Sequence, residues 1–312
     1  MKDLETSIIQ TLTYFDLFDH PLTEEELFRL LWQPPEGLEY GFFLEQLKTF
    51  EESLYIENSQ GFWYLKGRKS ILGHRQSRIK LVEEKMKIAN RGIKKLRWIP
   101  FVRSVFVCNT VASAIADSDS DIDVFIVVRK NRLWLTRMLV TLSLSLFGLR
   151  RTKKKIKNKI CLSFYVTDDK LNLKQVTIGE SDIYLIYWIA QLIPLYDPDN
   201  LLLSIQKANT WVKSYVPHVF QPYKLLSRMR IEDTVLSGKV KRGFERMWGS
   251  GYGAVLEKQA RSLQLSKMKH NIKSVQNQGD SRVVINDSML KFHENDRRTE
   301  YREVWQKKCN LI

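Results

Sequence analysis

Asp121 and Asp123 flank Ile122 at the start of an apolar run that continues through Val124 to Val128. In an extended chain, residues two apart share a face, so the two carboxylates project together and Ile122 turns to the other side. Carboxylates held side by side repel each other unless a cation lies between them. The pair is therefore a candidate Mg²⁺ site for phosphate chemistry. A second apolar run, Val105 to Val107, lies upstream and ends in the small residues Cys108, Asn109 and Thr110.

Two other readings use the same residues. Asp117, Asp119, Asp121 and Asp123 alternate as in a calcium loop, but an EF-hand counted from Asp117 requires Gly at its sixth position and Glu at its twelfth. Ile122 and Val128 stand there, which excludes it. The plainer alternative is a solvated acidic turn leading into a buried strand.

From Val107–Thr110 to Ser120-Asp121-Ile122-Asp123-Val124, the pattern resembles the nucleotidyltransferase (polymerase-beta-like) superfamily. The resemblance runs from about Arg103 to Val166. It implies an α/β (α+β) mixed sheet with covering helices, and Mg²⁺, as one ion or a two-ion site, held by Asp121 and Asp123 as catalytic ligands. Asn109, Thr110 and Ser120 would bind the nucleotide, with Asn109 standing where the family carries Gly. Asn tolerates the positive φ that such a turn demands. The implied activity is transfer of a nucleoside monophosphate from a nucleoside triphosphate to an unidentified hydroxyl acceptor, with a nucleic acid or protein as acceptor partner. Family members usually supply a third carboxylate from the next strand. The strand read over 159–167 contains no acid, Ser163 stands at that position, and Asp168 and Asp169 lie beyond its end. A rival reading is a non-catalytic nucleotide-binding or antitoxin-like member of the fold.

The remaining elements position these residues. Helical periodicity covers Thr6–Phe18, a Thr23/Glu26 capping box opens a helix through Trp32, and a third helix fits Tyr40–Ser53. Two short strands, 54–57 and 62–65, flank the turn Asn58–Gly61. Three helices and a hairpin resemble a winged-helix domain, and a DNA-binding regulator is a further alternative. Against it, the third helix carries Glu45 beside a lone Lys48, whereas phosphate contacts require basic residues. A long charged helix over 70–98 leads to strands at 101–108 and 123–129 and an apolar helix at 132–149. The basic run Arg150–Lys159 follows, with seven Lys/Arg, and reads as a solvated loop beside the site.

From Ser181 the pattern is helical, with an apolar helix running from Asp182 towards Tyr196. Gln276–Gly279 reads as a loop and Arg282–Ile285 as extended. A last helix, capped by Asp287 or Ser288, carries Lys291, His293, Arg297 and Arg298 within reach of phosphates. The expected organisation is a winged-helix-like domain at 1–69, a linker helix at 70–100, a nucleotidyltransferase-like catalytic domain at 101–179 and a helical C-terminal region with a polar tail at 180–312. The net charge of +15 lies in the middle and C-terminal parts, while residues 1–75 are acidic on balance. Three widely spaced cysteines form no disulfide or zinc pattern, and a cytoplasmic setting with no membrane span is expected.

Overall fold

The computed structural model describes residues 3–50, 53–220, 229–269 and 281–311, so the loop expected at Gln276–Gly279 lies outside the described residues. The chain begins with α1 (Leu4–Asp16), α2 (Glu24–Arg29), α3 (Tyr40–Thr49) and the hairpin β1 (Ile56–Ser59)–β2 (Phe62–Leu65). Thr23 and Glu26 form the capping box, each side chain accepting from the other's backbone N–H. The second helix stops before Trp32, whose N–H donates to Thr11 Oγ1 at 2.9 Å rather than continuing the helical ladder.

This N-terminal unit does not stand apart. Tyr14 stacks on Tyr187, and Trp32 packs against Tyr215 and Trp305. Trp305 Nε1 donates to Gln10 O, and Lys308 pairs with Asp16. One apolar core therefore runs from Leu4 to Trp305.

Helix α4 (Ile71–Leu96) follows, then β3 (Val102–Val107), α5 (Asn109–Ala112), β4 (Ile122–Val128), α6 (Leu133–Leu146) and β5 (Ile160–Thr167). The remaining elements are α7 (Ile183–Ala190), β6 (Ile193–Tyr196), α8 (Leu201–Ala208), α9 (Val235–Met247), α10 (Gly251–Lys269), β7 (Val283–Ile285), β8 (Met289–Phe292) and α11 (Arg298–Cys309). Six strands form one open mixed sheet in the order β6-β3-β4-β5-β8-β7. Only β4 and β5 are parallel, and α6 makes the crossover that a parallel pair requires.

Side-chain alternation divides the sheet into two buried faces. Phe106, Phe125, Val127 and Phe164 join the core shared with α7 and the N-terminal helices. Val105, Val107, Val124, Ile126 and Tyr165 join a second core with α4, α6 and α10. Gly92 lets α4 approach β5, because a Cβ there would overlap the Ile160 side chain.

The C-terminal region contributes three strands to this sheet: Val283–Ile285 lies in the run read as extended, and the other two stand where the sequence suggests helix. The run from Asp182 breaks after Ala190, and Ile193–Tyr196 forms an edge strand against β3. Pro194 explains the break: it cannot continue a helix, but an edge strand tolerates its missing N–H. Likewise Met289–Phe292 is a strand rather than the opening of the last helix. Asn286 Oδ1 accepts from Ser288 N and Met289 N, turning the chain from β7 into β8. Among the described residues, no helix is long and apolar enough to cross a membrane.

Candidate metal and nucleotide site

Asp123 lies in β4 on the same face as Phe125 and Val127, beneath α7. Asp121 precedes the strand, and Lys85 of α4 holds the segment leading into it. The Lys85 side chain, one of the many charges of that long helix, is fully buried. Its Nζ donates to Ser120 O at 2.7 Å, Asn158 Oδ1 at 2.8 Å and Ser118 O at 3.4 Å. These acceptors satisfy the ammonium group, although burial pulls its pKa down.

Asp123 sits opposite Cys161 in the parallel β4–β5 register. Two residues further along β4, Phe125 pairs with Phe164, so β5 carries one extra residue between the pairings. This bulge resets the alternation of β5, and Cys161 lies on the side of the acids. Asp121, Asp123 and Cys161 bring their ligand atoms within 4.8 Å of one another. The third position beside the acids thus belongs to a thiol from Cys161, whereas Ser163 is hydrogen-bonded to His293 Nε2 at 3.0 Å. Cys161 lies two residues before Ser163, in the same alternating set, but it is a thiol where an acid is expected, so nothing in the sequence singles it out. Asp168 and Asp169 lie beyond the opposite end of β5, about 20 Å away at ~3.3 Å per residue. There they engage Lys130 and, for Asp168, Arg103.

Arg151 approaches the acids from the basic loop. Its Nη1 lies 3.1 Å from Asp121 Oδ2 and 3.4 Å from Cys161 Sγ. Asp121 Oδ2 is buried and accepts no hydrogen bond of good geometry, despite that ion-pair distance. Burial and then the charge of Asp121 lift the Asp123 carboxyl from 3.8 to about 6, with Asn109 pulling the other way. Burial likewise pushes the Cys161 thiol up, so it is neutral.

Asn109 adopts φ 55°, as the turn requires. Its Nδ2 donates to Asp123 Oδ2 at 2.9 Å, and its Oδ1 accepts from the Tyr184 hydroxyl at 3.3 Å. The opposite wall comes from β8 and the turn into α11. Lys291 is buried and pairs with Asp296 at 3.3 Å, and burial followed by the nearby Arg298 charge lowers it to about 8. Burial lowers His293 to about 3, leaving it neutral. Burial alone would raise Asp296, but Arg298 and Lys291 hold it at about 2. Arg298 also pairs with the buried Asp182 at 2.7 Å. Between the acids and this ion-paired wall lies a cavity of about 420 Å³, with Phe164, Tyr184, Trp188 and Tyr301 among its aromatic lining.

No family model, curated protein or solved structure matches this chain.

Of the residues singled out in the sequence, Asn109, Asp121 and Asp123 meet at the cavity, together with Lys291, His293, Arg297 and Arg298. Thr110 and Ser120 are not among its lining residues. The Ser120 hydroxyl donates to Asp117 O, and its carbonyl accepts from Lys85. Arg151, Cys161 and the aromatic lining are the members that sequence reasoning missed. Arg151 sits in a run of cations with no feature to single it out.

Proposed function

We propose that this cavity binds a nucleoside triphosphate with Mg²⁺ and transfers its nucleoside monophosphate to a hydroxyl acceptor, as in the nucleotidyltransferase-type enzymes that the Ser120–Val124 segment resembles. The observation that carries the proposal is the convergence of Asp121 and Asp123, from the start of one strand, on a cavity whose far wall carries Lys291, Arg297 and Arg298.

The donor set suits Mg²⁺ through its oxygens. Asp121 Oδ2 is buried without a good hydrogen bond, and the Asp123 carboxyl is raised by burial and by its neighbour's charge. A divalent cation relieves both conditions. Mg²⁺ commonly takes one or two protein carboxylates and completes its shell with water and phosphate oxygens. Cys161, a neutral soft donor, is not suited to a hard cation. When bound, the ion would supply charge neutralisation for the phosphates. The chain's own residues do the rest. Asn109 fixes the Asp123 carboxylate, Lys291, Arg297 and Arg298 bring cations to the far wall among Glu294 and Asp296, and Tyr184 and Trp188 contribute aromatic edges to the space a base would enter.

A second reading, nucleotide binding without transfer, draws on the Cys161–Arg151 contact. A thiol and a guanidinium occupy the side from which a third carboxylate would act, and Asp296 is engaged by Lys291 and Arg298. One experiment separates the two. The protein is incubated with Mg²⁺ and labelled triphosphates over a panel of nucleic acid and protein hydroxyl acceptors. Labelled acceptor and released pyrophosphate are expected for transfer, and Mg²⁺-dependent binding with no turnover for the second reading. Asp121→Asn combined with Asp123→Asn should abolish Mg²⁺-dependent binding, and undiminished binding overturns both.

A further inference from the structure

The apolar run at 132–149 and the basic run at 150–159 remain unexplained by the cavity, apart from Arg151. Leu133, Trp134, Val140 and Leu144 of α6 are buried against the sheet. The end of the same helix projects outward: Leu142, Leu146 and Phe147 are 53%, 84% and 55% exposed, and Ile156 of the following loop is 41% exposed. Leu142 and Leu146 are one helical turn apart and share a face.

Cations surround this tip. No Asp or Glu occurs between Asp123 and Asp168. The loop after α6 is folded back and pinned. Arg151 N donates to Ile160 O, Ile160 N to Leu149 O, and Lys159 Nζ to Gly148 O. Thr152 and Lys155 exchange backbone hydrogen bonds, which sets Lys153 and Lys154 at the apex of a tight turn. From α4, Lys95 lies over the Phe147 ring at 4.5 Å, and Arg91 and Lys94 are exposed nearby on the same helix.

We propose that this end of α6, with the 150–159 turn and the last turns of α4, docks on the surface of an anionic lipid bilayer. Protruding leucine and phenylalanine side chains ringed by lysines match the two forces of interfacial binding. Apolar groups enter the acyl boundary, and cations meet anionic headgroups. The exposed aliphatics favour a bilayer over a nucleic acid, which would cover the cations and leave Leu142 and Leu146 in water. The proposal is independent of the chemistry assigned to the cavity.

The test is co-sedimentation of the full chain with phosphatidylcholine vesicles, with and without about 30% phosphatidylserine. Binding is expected only with the anionic lipid, weakening as salt rises. Lys153→Glu with Lys154→Glu should reduce partitioning at least about tenfold. Leu146→Ser with Phe147→Ser should also reduce it while leaving the salt dependence in place. All four positions are exposed, and an unchanged thermal midpoint confirms folding. No binding to anionic vesicles at low salt overturns the proposal, as does equal binding by the serine pair and the parent. RNA binding that is lost in the glutamate pair but kept in the serine pair, without vesicle binding, assigns the surface to nucleic acid instead.

Discussion

Cys161 lies opposite Asp123 across the β4–β5 ladder and shares with it the face that carries the acid pair. A thiol thus occupies the position where a carboxylate would complete a set of three hard ligands. Cys161→Asp tests what that vacancy in charge means. Without divalent ions, three crowded carboxylates should lower stability by about 1–3 kcal/mol. With Mg²⁺, the variant should gain a larger rise in thermal midpoint than the parent, while Cys161→Ser should respond as the parent does. Identical Mg²⁺ responses in all three proteins would remove the acid pair as a metal site.

The raised Asp123 carboxyl makes a pH prediction. In the metal-free protein its proton is held more tightly than in the unfolded chain, about 6 against 3.8. Its contribution to stability is therefore fully present below pH 4 and is lost as pH rises through about 6. Asp123→Asn lacks this titration. Its stability relative to the parent should rise between pH 4 and pH 7, by up to about 3 kcal/mol. His20, His218 and His293 are all held below their ordinary value by burial and act in the opposite direction, but they are common to both proteins and cancel in the difference. Urea unfolding of both proteins in chelator across this range measures it, and a flat difference contradicts the assignment. Mg²⁺ should reduce the slope.

Asn109 combines two roles that substitutions can separate. Asn109→Gly keeps the left-handed turn but loses the bonds to Asp123 and Tyr184, at a cost of about 1–2 kcal/mol. Asn109→Ala loses the bonds and also strains the backbone at φ 55°, which adds about 1–2 kcal/mol. The expected stability order is Asn, Gly, Ala. Equal losses for Gly and Ala would show that the turn conformation carries no energetic demand.

Local signals were legible where local physics decides the outcome. The Thr23/Glu26 cap, the hairpin after α3, the apolar strands on either side of the turn and the acid pair all depend on neighbours a few residues away. The lining of the cavity does not. Cys161 pairs with Asp123 beside a bulge in β5 but is a thiol where an acid is expected, and Arg151 resembles its neighbours in a lysine-rich loop. Lys85 has the spacing of a surface residue, yet it is buried because three oxygens from two distant loops converge on it. Met289–Phe292 becomes a strand because β5 offers it an edge more than 120 residues earlier in the chain.

That last pairing has a consequence for how the protein is made. Ser163 meets His293 across 130 residues of sequence, and the whole charged wall from Lys291 to Tyr301 lies on the late side of that gap. At about 5–20 residues per second, the ribosome emits that intervening stretch in roughly 6–26 s. During that interval β5 has an unpaired edge, and of the cations that line the cavity only Arg151 has been made. The nascent chain therefore passes through a stage with an exposed strand edge and half a cavity, and the cavity closes only once residues 291–301 have been made.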